Sequence, residues 1–212
     1  MSAAQARFYR DLSGKYCAPF SEGLLSFEAL FQNANPVVCE IGFGMGDSTV
    51  AIAEANPDKN YLGIEVYKAG IGRLLGELER RDIRNVRVIE HDAVEALRWM
   101  VADSSVAGFH IFFPDPWPKR RQHKRRLVRR PFTDMLAHKL TPGGYVFFVT
   151  DWDEYGRWAL DELSQTEHLH NICEGSGGFA PSQAWKPETK FEARGRAQGR
   201  AIREVLFRKG VG

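Results

Sequence analysis

The chain has 212 residues, of which 43% are apolar and 26% are charged, and its formal net charge is +2. This is the composition of an ordinary globular protein, and the length suits a single α/β domain whose core folds without disulfide bonds. Its three cysteines are scattered without metal-ligand spacing, and no apolar run approaches the roughly 20 residues that span a bilayer, which excludes a disulfide scaffold and a membrane-spanning protein. We therefore expect a cytoplasmic protein with reduced thiols, no secretory signal and no bound metal.

The first 35 residues show no regular pattern, and we predict a partly helical N-terminal extension broken at Pro19 and Gly23. From residue 36 onward, β-prone apolar runs alternate with helical patterns. The predicted strands cover residues 37–41, 61–65, 86–90, 109–113, 145–150 and 202–207, and the predicted helices cover residues 47–56, 68–81, 92–102, 132–140 and 154–163.

Two details complicate this pattern: three glycines lie inside the second predicted helix, and residues 142–144 are typical of a turn. Because the middle strands are nearly continuous apolar runs, the alternation predicts a mainly parallel α/β sheet covered by helices on both faces. Ligands bind outside the carboxyl ends of such strands, so the residues that follow each strand are the candidate site residues.

The first predicted strand ends in a glycine-rich loop that contains Gly42, Gly44 and Gly46, and Glu40 lies just before it. Glycines at alternate positions let the backbone turn sharply and let a ligand approach closely. The loop lacks the third glycine where a pyrophosphate fingerprint expects it. A carboxylate at Glu40 would repel a pyrophosphate, but it could attract the cationic amino group of a methionine moiety.

Acidic side chains also follow the next two predicted strands. Glu65 could accept hydrogen bonds from ribose hydroxyls, and Asp92 could accept one from an adenine amino group. Each acid taken singly could equally be a helix N-cap, and Asp92 fits that interpretation well. Together with Glu40 and the glycine loop, the three acids favour an adenosyl cofactor without phosphates.

The loop after the fourth predicted strand is the most informative segment of the chain. Prolines at 114, 116 and 118 stiffen it around Asp115 and Trp117, and a basic run starts at Lys119. An acid could read the donor edge of a flat heteroaromatic substrate while the aromatic ring stacks on it. Residues 119–130 contain eight Lys or Arg residues and no acid, which favours a polyanionic partner over a merely solvated loop.

Two later segments complete the candidate site. Asp151 follows the fifth predicted strand and could either cap the next helix or face the cleft. Residues 189–192 precede a second basic stretch that consists of Arg194, Arg196, Arg200 and Arg203. Glycines interrupt this stretch at 195 and 199, so we predict a poor helix and a mobile loop there.

These segments together resemble the tRNA (guanine-N7-)-methyltransferase family of the TrmB type. The resemblance rests on residues 40–46, the loop 114–119 with its basic tail, residues 150–151 and residues 189–192, and it extends over roughly residues 19–209. It implies a Rossmann-like class I methyltransferase domain in residues 36–212 with a mainly parallel seven-stranded sheet. It also implies S-adenosylmethionine as the cofactor and tRNA as the partner, methylated at N7 of guanosine 46 in the variable loop.

The resemblance assigns a role to each matching residue. The cofactor would be bound by Glu40, Gly42, Gly44, Gly46, Glu65, Asp92 and Asp115, and Asp115 would also be the catalytic residue. The substrate would be bound by Trp117, Lys119, Arg121, Lys124, Arg125, Arg126, Asp151, Thr189, Lys190, Phe191 and Glu192. We expect no stable protein partner, and either a monomer or a homodimer.

Three alternative functions stay open. An amino-group methyltransferase acting on adenine or cytosine also has an acid or amide, proline and an aromatic residue after this strand, but here Trp117 follows a single proline. A nicotinamide-dependent oxidoreductase is disfavoured by Glu40 and the glycine spacing. A non-enzymatic RNA-binding protein would need decayed acids at the strand ends, and none of these acids looks decayed.

Overall fold

A computed structural model describes residues 1–173 and 175–211 of the chain. The helices are α1 (Ala3–Tyr16), α2 (Phe27–Phe31), α3 (Asp47–Ala55), α4 (Lys68–Arg80), α5 (Ala93–Met100), α6 (Phe132–Lys139), α7 (Asp153–Ser164) and α8 (Lys190–Ala197). The strands are β1 (Cys17–Ala18), β2 (Val37–Ile41), β3 (Asn60–Glu65), β4 (Val86–Glu90), β5 (Val106–Phe112), β6 (Leu140–Thr150), β7 (Leu169–Asn171) and β8 (Arg203–Lys209). Two 3₁₀ helices cover Arg120–Arg125 and Ser176–Gly178.

One sheet holds all of these strands in the order β1-β4-β3-β2-β5-β6-β8-β7. The pairs from β1 to β6 are parallel, whereas β8 is antiparallel to both β6 and β7. The predicted α/β class with a mainly parallel sheet is confirmed. The sheet has eight strands instead of seven, because the two-residue β1 adds a short edge beside β4. None of the described helices has the length and apolar character needed to cross a membrane.

The glycines inside α4 are sites of close packing. A Cβ atom on Gly70 would lie 1.8 Å from the carbonyl oxygen of Gly44, and one on Gly72 would lie 2.2 Å from that of Gln5 in α1. On Gly76 it would lie 2.5 Å from the Phe8 ring. The glycines that weaken α4 as an isolated helix therefore let both the glycine loop and α1 pack directly against it.

The predicted turn at residues 142–144 is part of strand β6. Gly143 adopts a left-handed backbone with φ of +77°, and the register with β5 shifts between Val106 and Gly108. The glycine that we interpreted as a turn signal forms an irregularity, and the strand continues through it because β5 supplies hydrogen-bond partners on both sides.

The prediction of a poor helix and mobile loop was wrong at Gly195, because α8 runs through this glycine. The helix ends at Ala197, before Gly199 with its φ of +70°, and the mobility of this segment stays a prediction. Thr189 caps the helix by accepting a hydrogen bond from the backbone N–H of Glu192, at 3.0 Å. A Cβ atom on Gly195 would lie 2.8 Å from the Cβ of Asp151. The capping bond and this close approach to the end of β6 offset the low helix propensity of glycine.

Candidate active site

A cavity of about 570 Å³ opens at the carboxyl ends of β2, β3 and β5. It lies where the strand order reverses, since the chain proceeds from β2 towards β3 on one side and from β5 towards β6 on the other. Its walls are residues 40–48, Glu65, residues 112–115, Trp117, Arg125, Leu127 and residues 189–191. The sheet thus brings most of the candidate residues to the position where such folds bind their ligands.

The glycine loop forms one wall of the cavity with a backbone that favours glycine. Gly42, Gly44 and Gly46 have φ angles of +71°, +58° and +77°, a region that other residues adopt only at a cost. Cβ atoms on Gly42 and Gly44 would meet no protein atom within 4 Å, whereas one on Gly46 would lie 2.9 Å from Leu74. The first two glycines therefore leave open space for a ligand, and the third also allows the loop to pack on α4.

Glu65 at the end of β3 holds this loop in place. Its carboxylate accepts hydrogen bonds from the backbone N–H of Gly44 at 2.8 Å, of Val66 at 2.7 Å and of Tyr67 at 3.0 Å. A carboxylate has about four acceptor positions, so about one remains for a ligand hydroxyl. The side chain is thereby oriented before any ligand binds.

Glu40 is the most unusual ionisable group of the cavity. It is only 2% exposed, and its Oε2 atom has no hydrogen-bond partner among the described residues. Burial raises its pKa to about 7; the nearby Thr49 hydroxyl opposes this rise and the Glu65 carboxylate adds to it. A buried carboxylate oxygen without a partner is costly, so the site fits a ligand that brings a cationic group to this point.

Asp92 has a different position from the other strand-end acids. It is exposed and caps α5 by accepting hydrogen bonds from the N–H groups of Val94 at 2.9 Å and Glu95 at 3.2 Å. It does not belong to the residues that line the cavity. The N-cap interpretation matches this geometry, and a contact between Asp92 and the cofactor stays a prediction.

The proline-rich loop after β5 forms the opposite wall. Asp115 is exposed at the rim and Trp117 is half-buried. The guanidinium carbon of Arg125 lies 4.9 Å from the centroid of the Trp117 ring, so a cation covers part of this aromatic surface. Phe113 and Phe191 stack with their ring centroids 6.0 Å apart, which joins this wall to the beginning of α8.

The basic run divides into exposed and buried cations. Lys119, Arg121, Lys124 and Arg125 are exposed, as a surface that binds RNA requires. Arg126 corrects the prediction, because its side chain is 0% exposed and pairs with Glu154. Since α7 and the proline-rich loop enclose this guanidinium, it is not available to RNA in this structure.

The predicted substrate residues near α8 also separate into two groups. Thr189, Lys190 and Phe191 line the cavity, and the Lys190 ammonium lies 3.3 Å from the Asp47 carboxylate across it. Glu192 is 2% exposed and pairs with the buried Lys186. A substrate contact by Glu192 is therefore not supported by this geometry.

Asp151 neither caps α7 nor belongs to the residues that line the cavity. Its carboxylate instead accepts a hydrogen bond from Arg200 at 2.5 Å. Three further charged residues, Glu154, Lys186 and Glu204, pair with the buried cations or acids around the site and have no predicted role in the sequence. Nothing in their local sequence signals this role, because burial of a charged residue depends on distant elements.

The described residues contain no group of three or more His, Cys, Asp or Glu side chains placed to hold a metal ion. The site consists of carboxylates, glycines, aromatic rings and cations. The carboxylates and glycines suit a ligand with an amino group and hydroxyls, and the aromatic rings and cations suit an aromatic, polyanionic ligand.

Comparison with known proteins gives consistent matches. A family model described as "Putative methyltransferase" matches residues 34–205. The tRNA (guanine-N(7)-)-methyltransferase of Treponema pallidum (strain Nichols) is 45% identical over 235 residues, covering 99% of this chain and 92% of that protein. The protein of the same name from Nitrosospira multiformis is 44% identical, covering 100% of this chain and 91% of that protein.

Solved structures share the fold at low sequence identity. The 16S rRNA methyltransferase KamB matches with a TM-score of 0.60 at 13% identity, covering 87% of this chain and 92% of that chain. TrmN from Thermus thermophilus matches with a TM-score of 0.55 at 16% identity, covering 85% of this chain and 48% of that chain. At these identities the likeness shows a common Rossmann-like methyltransferase fold.

Proposed function

Since the chain belongs to the tRNA (guanine-N(7)-)-methyltransferase family, we propose that it transfers a methyl group from S-adenosylmethionine to N7 of a guanine in tRNA. The proposed target is guanosine 46 of the variable loop. The observation that carries the proposal is one cavity with a buried, unpartnered carboxylate at Glu40 on one wall and the Asp115–Trp117 loop on the other.

The residues of the first wall fit S-adenosylmethionine. Glu40 would bind the amino group of its methionine moiety, and Glu65 would use its remaining acceptor position for a ribose hydroxyl. The glycine loop leaves open space beside both acids. When bound, this cofactor supplies an electrophilic methyl group on a sulfonium.

The second wall fits the substrate. N7 of guanine carries an in-plane lone pair and no proton, so the reaction needs no general base to create the nucleophile. The contribution of the protein is to hold the reacting atoms in line, and positioning of this kind can account for much of a rate enhancement. We propose that Asp115 accepts hydrogen bonds from the N1 and amino donors of guanine, while Trp117 packs against the ring.

The exposed cations supply affinity for RNA. Arg125 and Lys190 line the cavity, and Lys119, Arg121 and Lys124 are exposed in the same basic run as Arg125. Contacts with phosphates release counterions, so binding of tRNA should weaken steeply as salt rises. The same contacts would offset the cost of opening the tRNA around its variable loop.

Within this proposal, residues 36–212 are the methyltransferase domain and residues 1–35 are an extension that packs on it through α1. The close contacts of Gln5 and Phe8 in α1 with the glycines of α4 support this packing. We further propose a cytoplasmic enzyme that acts as a monomer or homodimer without another protein subunit.

The test is methyl transfer from labelled S-adenosylmethionine to unmodified tRNA, compared with a transcript whose guanosine 46 is changed to adenosine. Label at N7 in the first RNA alone is the expected result. Equal labelling of both RNAs would remove the positional assignment, and labelling of an exocyclic amino group would favour the amino-methyltransferase alternative. No labelling of either RNA by protein that binds the cofactor would refute the proposed reaction.

A further inference from the structure

Arg126 is the largest fully buried side chain among the described residues. Its Nε donates a hydrogen bond to the carbonyl oxygen of Pro116 at 3.0 Å. Its two terminal nitrogens donate to the two carboxylate oxygens of Glu154, with 3.0 Å for the first. A guanidinium in this arrangement connects the proline-rich loop to α7 through a bidentate ion pair.

The surroundings of Arg126 fix it further. Its guanidinium carbon lies 4.9 Å from the ring centroid of Tyr155 and 5.1 Å from that of Trp158. Both rings are held by the backbone of Val128, whose N–H donates to the Tyr155 hydroxyl and whose carbonyl accepts from the Trp158 indole. The guanidinium of Arg126 is therefore held in a fixed orientation, mainly by side chains of α7.

The loop that Arg126 holds has a strained backbone at both ends. Phe113 has a φ angle of +49° and Trp117 one of +45°, and a left-handed backbone at a bulky aromatic residue persists only where its surroundings enforce it. The first end is held by the Phe113 N–H, which donates to the Val149 carbonyl at 2.8 Å. The second end is held where Arg126 binds Pro116, directly before Trp117.

The loop has few means of holding itself. Prolines at 114, 116 and 118 carry no backbone N–H, so the only backbone N–H groups between them are those of Asp115 and Trp117. The Pro116 carbonyl is satisfied by Arg126, a side chain ten residues further along the chain. Without that donor the strained end of the loop would lose its enforcing contact and relax.

We propose that Arg126 is a positioning residue, which holds the loop through the Pro116 carbonyl so that Asp115 and Trp117 meet the guanine, and that it is not an RNA contact. The inference rests on the proposed function, since it concerns the loop assigned to the substrate. Arg126 thereby differs from the exposed arginines of the same basic run, which have the same charge but are proposed to bind RNA.

The experiment compares Arg126→Gln and Arg126→Lys with Arg121→Gln, which removes an exposed cation from the same run. Three quantities are measured for each protein: kcat at saturating tRNA, the Kd for tRNA, and the dependence of that Kd on salt. We expect Arg126→Gln to lower kcat by between about ten-fold and a hundred-fold, the cost of a misplacement near 1 Å. Its Kd for tRNA and its salt slope should stay those of the unaltered protein.

Arg121→Gln should weaken the Kd for tRNA and reduce its salt slope by about one. Arg126→Lys keeps the charge but cannot reach Glu154 and Pro116 with a rigid fork, so it should lose kcat as well. If Arg126→Gln instead behaves like Arg121→Gln, or if it changes none of the three quantities, the inference is wrong.

Hydrogen–deuterium exchange of the peptide containing residues 113–120 provides a readout that needs no methyl transfer. The hydrogen-bonded amide at the start of the loop is that of Phe113, which donates to the Val149 carbonyl, and its exchange should become faster in both Arg126 variants and stay unchanged in Arg121→Gln. If Arg126→Gln does not fold, Arg126→Lys and Glu154→Gln carry the same comparison. If exchange is faster in these variants but the unaltered protein does not methylate tRNA, the proposed function is wrong and the role of Arg126 in holding the loop stands. If exchange is unchanged in these variants, the role of Arg126 is wrong.

Discussion

The two walls of the cavity are built on different principles. The wall proposed to bind the cofactor consists of carboxylates and glycines at the ends of β2 and β3, and Glu65 is oriented by the backbone N–H groups of its neighbours Val66 and Tyr67 and of Gly44 in the glycine loop. The wall proposed to bind the substrate consists of two segments that are held by ion pairs. Arg126 pairs with Glu154 of α7, and Lys186 pairs with Glu192 of α8 and lies 3.6 Å from Glu204 of β8. A motif is sufficient to specify the first wall, whereas the second wall depends on the whole fold.

The two buried pairs also differ from each other. The Glu154 side chain remains 52% exposed, so water screens the Arg126 pair from one side. Lys186 and Glu192 are 2% and 3% exposed, and Glu204 lies 3.6 Å from the same lysine. Burial raises the pKa of Glu204, which marks this cluster as the most costly arrangement of charges around the site.

The largest expected effect is on stability, from Lys186→Met. The change leaves Glu192 and Glu204 buried without their cation, and removing one partner of a buried pair costs about 3–5 kcal/mol of unfolding free energy. Urea unfolding followed by circular dichroism measures this loss, with Lys124→Met as the control because that lysine is exposed. Equal stability of the two variants would show that the cluster contributes nothing to holding α8.

Asp115→Asn should have the next largest effect, this time on turnover. The amide replaces one of the two acceptor oxygens by an NH2 donor, which would face a guanine donor, and loss of one oriented group at a reacting centre commonly lowers kcat by about a hundred-fold or more. Single-turnover methyl transfer measures it. Asp103→Asn, the same substitution near the amino end of β5, is the control and should keep the rate. A large loss of cofactor affinity with unchanged turnover would assign Asp115 to the cofactor wall.

The pH dependence of cofactor binding tests the first wall. Glu40 has a pKa of about 7 in the free protein, and only its ionised form attracts an ammonium group. Since the α-amino group of the cofactor stays protonated below about pH 7.7, the affinity should rise about ten-fold between pH 5.5 and pH 7. Calorimetric titration with S-adenosylmethionine measures this change.

Glu40→Gln should bind more weakly at pH 7 and lose the pH dependence, which makes it the control for other titrating groups. The raised pKa also affects folding. Because the unfolded chain releases this proton at a lower pH, the contribution of Glu40 to stability falls as pH rises from about 4.5 towards 7, and a bound cation reverses the fall. An affinity that is flat from pH 5.5 to pH 7 would contradict the role of Glu40.

The smallest single effect belongs to each exposed cation of the second wall. Replacing Lys124 by Gln should reduce the salt slope of tRNA binding by about one and weaken binding uniformly across tRNA sequences. Filter binding at several salt concentrations measures this slope, and the double variant with Arg121→Gln should lose about two. A slope that stays unchanged in the double variant would remove the basic run from the RNA interface.

Several features of the protein were determined by the sequence alone. The alternation of apolar strands with helices predicts the parallel sheet, and position at the end of a strand predicts that Glu40, Glu65 and Asp115 share one edge. These predictions succeed because strand ends in a parallel sheet converge whatever the details of packing are. The resemblance of four segments to one family added the substrate and the cofactor.

Only the tertiary structure decided which polar residues face the cavity. Arg125 and Arg126 are neighbours of equal charge, yet one covers Trp117 at the surface and the other is enclosed by α7. Glycine has a low helix propensity, yet α8 continues through Gly195, and a Cβ atom at this position would lie only 2.8 Å from the Cβ of Asp151. Burial and pairing depend on elements far away in the chain, so a local pattern predicts where a charged residue lies in sequence and not which partner it meets.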